Sequence, residues 1–409
     1  MSLNCASCTK PRTLDSGGNA PYYKPMNVAS KQGSQSFGSQ DSDNLRVPIT
    51  WQPDVTQYQL HNVIGRGTYG SITVHLAQHL PSGKSVAIKR INIEKSPVEF
   101  KVFQDEVILC RQMYHENIVK YHSTFVNDKE LWIVLPLLGY GSARDVLHAY
   151  FKTGLPETAI AYILRDVVSA LDYLHNRGII HRSVRASHIL IGGNGNVCLA
   201  GLRSAYHLIY HGKKWSRVYD YPNACNGDLQ WLSPEILEQN LSGYDTKSDI
   251  YSFGITSWEL ANGYPPFEDM PVTQMLLEKV NGTKPMLPDC TTIGELTGEE
   301  EDQHNANMEN GGIDIVAIAK ARKFSSYFHS LLDRCLEKNP QCRPTAEGLL
   351  TDSMFKQLKR KSTEALPNLL QPLTPIKLAN LTSVTTEDEA ADSLVEDMEQ
   401  VNLVGEWDF

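Results

Sequence analysis

The sequence predicts an α+β protein of two lobes, with strands in the first part of the chain and helices in the rest. Three strand-like segments with alternating apolar residues lie within residues 55–93, and residues 81–83 supply a turn between the second and third. After Gly141 the apolar residues recur mainly at helical spacing. Strands grouped before helices are typical of this class. We expect a small, mainly antiparallel sheet lobe with one helix, followed by a larger helical lobe.

The remaining elements follow in order, with no internal repeat. In the first lobe, a helix is predicted at residues 98–113, and two further strands are predicted at 118–125 and 131–135. The helices predicted for the second lobe cover residues 145–150, 157–176, 249–262, 271–280, 325–338 and 346–350.

Three stretches lack this periodicity. Residues 1–52 are rich in Ser, Gly, Gln, Asn and Pro, which predicts a disordered arm, with order beginning near Tyr58. Residues 291–312 are acidic and aperiodic, which predicts a mobile insert. From residue 361 the composition is Pro-rich and then acidic, which predicts a tail with little fixed structure.

The charge of the chain is unevenly distributed. The 409 residues include 38 Lys+Arg and 47 Asp+Glu, a net charge of -9. Nine acidic residues lie in residues 387–409 and seven in residues 295–314, so the rest of the chain carries a net charge of about +7. No segment predicts a membrane span or a secretory signal, and no basic-aromatic stripe indicates nucleic-acid binding. We therefore expect neither a membrane nor a nucleic acid as partner.

Cysteine usage gives little functional information. The eight Cys are scattered, and Cys5 and Cys8 form one Cys-x-x-Cys pair without a second. A single pair is weak evidence for zinc, so free thiols in a reducing compartment are the preferred interpretation.

A glycine-rich run joins the first two predicted strands. A dinucleotide-binding fold would place a helix directly after these glycines, whereas a strand follows here. Glycines between two strands fit a flap over nucleotide phosphates, because they let backbone N–H groups approach closely. A hairpin without a ligand would show the same pattern. The candidate residues are Ile64, Gly65, Arg66, Gly67, Gly70 and Ile72.

Further motifs follow in a fixed order between residues 58 and 355, and in this order the chain resembles the protein-kinase domain. They are Val86-Ala87-Ile88-Lys89, Glu106, His181-Arg182-Ser183, His188, Ser233-Pro234-Glu235, Ser248-Asp249-Ile250-Tyr251-Ser252-Phe253-Gly254 and Arg343-Pro344-Thr345. The resemblance implies that ATP binds, with Lys89 and Glu106 at its phosphates. It also implies a buried Glu235–Arg343 ion pair and an Asp249 that accepts catalytic-loop N–H groups. The adenine is expected between Ala87 and Leu190, beside Leu135, Pro136 and Leu138.

The kinase pattern is incomplete at three polar positions. Ser183 stands where the catalytic base is an Asp, His188 where a metal-binding Asn is expected, and Gly201-Leu202-Arg203 replaces Asp-Phe-Gly. A Ser hydroxyl cannot act as that base near neutral pH, and Gly201 offers no carboxylate to magnesium. We therefore expect no catalytic residues and no metal site.

What remains predicts nucleotide binding without phosphoryl transfer. Arg203, with Arg185 and His188, would add positive charge where the metal otherwise sits, so ATP is expected to bind without magnesium. Two rival hypotheses are a weakly active Ser/Thr kinase with non-standard metal binding and a docking domain that binds no nucleotide.

The chain also resembles the STRAD adaptor pseudokinases, of the sterile-twenty-like kinase group. The resemblance lies in residues 181–183, 186–191, 201–204, 231–235 and 243–282, and in the terminal Trp407-Asp408-Phe409. The best-known members have weakened the third-strand Lys or the glycine loop, whereas this chain keeps Lys89 and all three loop glycines, which predicts better retained nucleotide binding.

This resemblance implies a partner, a scaffold and a cellular role. It implies allosteric activation of the liver kinase B-one in a heterotrimer, with roles in cell polarity and cell-cycle arrest and a cytoplasmic and nuclear location. The scaffold would be the helical-repeat calcium-binding protein thirty-nine, whose pocket would take Trp407 and Phe409. Terminal aromatics of this kind fill partner pockets, although a chance terminal hydrophobe is the alternative.

Overall fold

A five-stranded antiparallel sheet forms the first lobe. The computed structural model describes residues 49–67, 72–94, 97–210, 212–221, 229–294 and 315–377. The sheet has the spatial order β1-β2-β3-β5-β4. Its strands are β1 (Tyr58–Arg66), β2 (Ile72–His79), β3 (Lys84–Asn92), β4 (Ser123–Asn127) and β5 (Glu130–Pro136), and helix α1 (Pro97–Arg111) follows β3.

The side chains of strand β3 alternate between the two faces of the sheet. Successive side chains of a strand point to opposite sides. Val86 and Ile88 therefore join one apolar cluster, while Ala87 and Ile91 join the cluster on the other face. Lys89 shares the direction of Ala87 and Ile91, which places it on the face that carries α1 and the candidate nucleotide site.

The second lobe is mainly helical. Its longest helix buries 11 of its 20 residues in the core, and all of these are apolar or aromatic. The helices are α2 (Ala143–Ala149), α3 (Glu157–Asn176), α4 (Pro234–Leu237), α5 (Lys247–Asn262), α6 (Val272–Asn281), α7 (Ile315–Ala321), α8 (Ser326–Cys335), α9 (Ala346–Leu350), α10 (Ser353–Lys356) and α11 (Ser362–Leu369).

Short strands in the second lobe hold the loops that face the first lobe. One small sheet has the order β6-β8-β9, and two strand pairs are β7 with β10 and β11 with β12. Their bounds are β6 (Gly141–Ser142), β7 (Ile179–Ile180), β8 (Ile189–Ile191), β9 (Val197–Leu199), β10 (Tyr206–His207), β11 (Ile209–Tyr210) and β12 (Lys213–Lys214). The hinge between the lobes, residues 137–140, runs from β5 into β6.

The predicted fold class is confirmed, and most element bounds agree within a few residues. Helix α3 has the predicted bounds, and Gly83 adopts a left-handed conformation in the predicted turn. The strand predicted at 118–125 is wrong in its first half. Val119 donates to the Leu199 carbonyl oxygen of the second lobe, so residues 117–119 pair there and not with the sheet.

Three predicted boundaries of irregular sequence also need correction. Residues 362–377 are ordered, because Leu366, Leu370 and Leu373 are buried in the core of the second lobe. Order begins before Tyr58, since the ring of Trp51 stacks on His122 with centroids 4.3 Å apart. Residues 291–292 belong to the fold through hydrogen bonds to Asp289. Residues 1–48, 295–314 and 378–409 lie outside the described part of the chain.

Two findings bear on the compositional expectations. Within the described ranges, no helix is long and apolar enough to cross a membrane. Cys110, Cys198 and Cys335 are buried free thiols, and Cys290 and Cys342 are exposed free thiols. Cys5 and Cys8 lie outside the described residues.

Candidate functional site

An apolar pocket lies where the hinge joins the two lobes. Its lining includes the five residues predicted to surround adenine, namely Ala87, Leu135, Pro136, Leu138 and Leu190, together with Ile64, predicted as part of the glycine loop. Sequence reasoning missed Val74, Val119 and Leu137, which also line it. Val74 could have been found, because it lies two residues after Ile72 and so shares a face of β2. Its apolar lining beside the hinge backbone has the chemical character of a site for an aromatic ring.

Lys89 and Glu106 form a buried ion pair beside this pocket. Lys89 Nζ lies 3.8 Å from Glu106 Oε2, and both side chains are nearly inaccessible. Tyr121 donates to Glu106 Oε1 over 2.8 Å. Glu106 Oε2 is buried and has no hydrogen-bond partner among the described residues. Burial lowers the pKa of Lys89, which Glu106 opposes and the Arg203 guanidinium reinforces.

Arg203 brings a second cation to the same place. Its guanidinium carbon lies 4.5 Å from the ring centroid of Phe103 on α1, and Lys89 Nζ lies 5.5 Å from that centroid. Lys89, Arg203 and Glu106 together carry one net positive charge. Such a cluster in a low-dielectric setting is suited to a polyphosphate. These residues and the apolar pocket therefore fit ATP.

The glycine loop is described only at its two ends. The N–H of Gly67 donates to the Ile72 carbonyl oxygen over 2.9 Å, and a Cβ at Gly67 would lie 2.8 Å from the Ile72 Cβ. Gly67 is thus required by the close pairing of β1 and β2, whether or not a ligand is bound. Gly65 is buried at the end of β1 and Arg66 is exposed. Gly70 lies outside the described residues.

Gly201 and His188 are complementary in shape. Gly201 adopts φ +79°, and a Cβ there would lie 2.4 Å from His188 Nδ1 and 2.5 Å from its Cγ. The His188 ring therefore fills the space that a side chain at Gly201 would need. The two departures from the kinase pattern are coupled through space, which no spacing in the sequence reveals.

The hydrogen bonds of His188 fix its tautomer. Nδ1 lies 2.7 Å from the Ser183 carbonyl oxygen, which can only accept, and Nε2 lies 3.3 Å from Arg185 Nη2, which can only donate. These two partners assign the proton to Nδ1 and make the ring neutral. His188 thus orients Arg185 and adds no charge of its own in this arrangement, contrary to the expected contribution. The guanidinium carbon of Arg185 lies 5.9 Å from the Trp231 ring, on the second-lobe side.

The loop that contains Ser183 is held from beneath by Asp249. Its two carboxylate oxygens accept the N–H groups of His181 and Arg182, each over 2.8 Å, as predicted. His175 Nε2 also lies 2.8 Å from Asp249 Oδ2. The predicted Glu235–Arg343 pair is likewise present and bidentate, with N–O distances of 2.7 and 2.8 Å. The kinase-like framework is therefore intact around the positions that differ from the kinase pattern, Ser183, His188 and Gly201.

Glu259 on α5 links this loop to Trp231. Its Oε2 accepts from Trp231 Nε1 over 2.9 Å and from the Ala186 N–H over 3.1 Å. Burial raises the pKa of Glu259 from 4.5 to about 7, although both hydrogen bonds oppose the shift. The folded protein therefore binds this proton more tightly than the unfolded chain does.

This shift predicts a pH dependence of stability. The contribution of Glu259 is fully present below pH 4.5 and declines as the pH rises towards about 7, at up to about 1.4 kcal/mol per pH unit. Glu259→Gln keeps an acceptor and cannot titrate, so we expect its stability relative to wild type to improve from pH 5 to pH 8. Urea unfolding of both proteins at the two pH values measures this. An unchanged difference would show that Glu259 is ionised throughout.

A segment of the second lobe, residues 205–210 and 212–221, borders α1. Arg182 Nη1 lies 3.1 Å from Asp220 Oδ2, and Val218 pairs with Tyr244 through two backbone hydrogen bonds of 2.8 and 3.0 Å. Trp215 and Tyr219 remain 57% and 60% exposed. The segment and α1 enclose a groove of about 730 Å³. A fixed backbone with exposed aromatic side chains is a favourable surface for a protein partner.

Comparisons with known proteins agree with this geometry. The protein kinase domain family model matches residues 58–355. The chain is 44% identical over 400 residues to STE20-related kinase adapter protein alpha from Homo sapiens, which covers 94% of this chain and 91% of that protein. The chain belongs to the STE20-related kinase adapter family. STE20-related kinase adapter protein alpha from Gallus gallus is 48% identical over 338 residues, covering 79% of this chain and 87% of that protein. The beta protein from Homo sapiens is 40% identical over 334 residues, covering 78% and 80%.

Two further predictions concern a metal site and the terminal docking residues. Within the described part of the chain, no group of three or more His, Cys, Asp or Glu side chains is arranged to hold a metal ion. Trp407, Asp408 and Phe409, the predicted partner-docking residues, lie outside the described residues. Their role stays a prediction.

Proposed function

We propose that this chain is a catalytically inactive adaptor pseudokinase that binds ATP without magnesium and allosterically activates a partner Ser/Thr kinase. The relatives' names, kinase adapter proteins, support the coarser part of this proposal. The observation that carries the finer part is the contact between Gly201 and His188. The position from which a kinase presents its metal-binding Asp has no room for a side chain, because the His188 ring fills it.

The nucleotide would lie between the lobes. The apolar pocket beside Leu138 would hold the adenine, while Lys89 and Arg203 would face the phosphates. Bound ATP would place its negative charge beside these cations, and it would bridge the two lobes. Because positive charge from side chains replaces that of a metal, magnesium adds little to this binding. Ser183 would remain unable to take a proton from a substrate hydroxyl.

The partner would be a Ser/Thr kinase of the liver kinase B-one type. It would dock across the front of the chain, where Trp215 and Tyr219 are exposed beside the groove. The helical-repeat scaffold calcium-binding protein thirty-nine would take Trp407 and Phe409 and complete a heterotrimer, in the cytoplasm and nucleus. If ATP and the partner favour the same conformation, each must tighten the binding of the other.

Partner docking is tested with two exposed aromatic residues. We expect Trp215→Ala and Tyr219→Ala to weaken binding of the partner kinase by about 1–2 kcal/mol each, because aromatic anchors dominate such interfaces. Tyr327→Ala, which removes a 48% exposed aromatic on α8, is the matched control and should change nothing. Binding is measured with purified proteins, and partner-kinase activity is measured in the same mixtures. Full activation by both variants would contradict this docking surface.

A further inference from the structure

The last described residues of the chain return to the hinge. We define residues 373–377 as the hinge strap. The N–H of Ile376 donates to the Gly139 carbonyl oxygen over 2.7 Å. The side chain of Ile376 packs against the apolar cluster that contains Leu135, Leu138 and Leu190 of the adenine pocket. The strap is thus in direct contact with the backbone that a bound purine would meet.

The strap fits a surface made of glycines. A Cβ at Gly139 would lie 2.9 Å from the Ile376 carbonyl oxygen and 3.1 Å from the Pro375 Cβ. A Cβ at Gly193 would also meet the Pro375 ring, at 3.1 and 3.3 Å. Gly139 is not in a left-handed conformation, so its missing side chain is explained by the strap and not by backbone strain. These close contacts show that the strap packs specifically against Gly139 and Gly193.

The strap has a rigid base in the second lobe. Helix α11 buries Leu366, and the following residues Leu370 and Leu373 are buried in the same core. Arg165 Nη2 donates to Ser362 Oγ over 3.1 Å at the start of this helix. The segment that reaches the hinge is therefore fixed immediately before it leaves the core.

We propose that the hinge strap is a positioning element of the nucleotide site, which holds the hinge backbone in its binding conformation. This inference rests on the ATP binding proposed above. Gly139 follows Leu138, which lines the pocket proposed for adenine, so fixing the Gly139 carbonyl fixes the orientation of that hinge segment.

The test compares four full-length proteins in EDTA, with ATP as the probe. Pro375→Gly/Ile376→Gly removes the ring and the apolar side chain of the strap, and Thr374→Ala is the control at an exposed strap position. We expect the double variant to raise the ATP dissociation constant at least fivefold and Thr374→Ala to leave it unchanged. Gly139→Ala should have a similar effect, because its Cβ displaces the strap.

A double-mutant cycle and a measurement without nucleotide distinguish a failure of the strap proposal from a failure of the proposed ATP binding. If the strap carries the effect, Gly139→Ala adds nothing in the Pro375→Gly/Ile376→Gly background. Equal losses in both backgrounds, or ATP affinities unchanged in every variant, would overturn the inference. Hydrogen exchange of residues 137–141 without ATP should also accelerate in the double variant. If the double variant exchanges faster than wild type but the wild-type protein binds no ATP, the nucleotide proposal is refuted and the strap contact is established.

Discussion

Glu235→Gln is expected to destabilise the protein by about 3–5 kcal/mol, because it leaves the Arg343 guanidinium buried without a compensating charge. The pair is bidentate, and Arg343 also donates to the carbonyl oxygens of Lys247 and Lys338, each over 3.0 Å. These two carbonyl oxygens, together with that of Glu337, which accepts from Arg343 Nε over 2.6 Å, hold the guanidinium in place when the carboxylate is lost. The charge therefore cannot move to water without disrupting the surrounding loops.

Urea unfolding measures this loss against a matched control. Arg217 Nη1 lies 3.2 Å from Asp245 Oδ2 in a pair that remains partly exposed. Arg217→Ala should cost about 0–1 kcal/mol, as surface pairs do. If Glu235→Gln costs no more than Arg217→Ala, the framework of the second lobe does not depend on this pair.

Gly201→Asp, the substitution that restores a kinase-like carboxylate, is expected to destabilise the protein by about 1–3 kcal/mol through overpacking. Asp tolerates the left-handed conformation at φ +79° better than most residues, so the main cost is the overlap with the His188 ring. His188→Asn, which replaces the ring by a smaller amide, should relieve that cost. We expect a favourable coupling energy of about 0.5–3 kcal/mol in the double variant.

The same four proteins also test the functional meaning of the contact. The double variant has a carboxylate and an amide where this chain has Gly201 and His188, so its ATP affinity should become magnesium-dependent. It should remain unable to transfer phosphate, because Ser183 is unchanged. Additive stabilities in the cycle would show that Gly201 and His188 are independent substitutions.

Residues whose roles depend on order along the chain were predictable. Lys89 on β3 and Glu106 on α1 follow from their spacing, and the structure brings them within 3.8 Å. The role of Asp249 was also predictable, because the resemblance to the protein-kinase domain implies that it accepts N–H groups of the catalytic loop. These relations persist because strands and helices of defined length place such residues in the same way whatever the intervening loops contain.

Relations through space were not predictable. Nothing in the spacing of His188 and Gly201 shows that one side chain replaces the other. Composition also misled at residues 362–373, where prolines obscured three leucines that are buried in the core, Leu366 in helix α11 and Leu370 and Leu373 after it. The first half of the strand predicted at 118–125 pairs across to the second lobe, which a local pattern cannot reveal.

The central claim, ATP binding without magnesium or phosphoryl transfer, is tested most directly by thermal unfolding with ATP in EDTA and in magnesium. We predict the same ATP-dependent stabilisation in both buffers and no transfer of phosphate. Lys89→Met should abolish the stabilisation, and Lys84→Met, at an exposed position on the same strand, should not. Stabilisation only with magnesium, or phosphate transfer that Lys89→Met eliminates, would contradict the account and identify a weakly active kinase. No stabilisation in either buffer would contradict it as well and leave a docking domain.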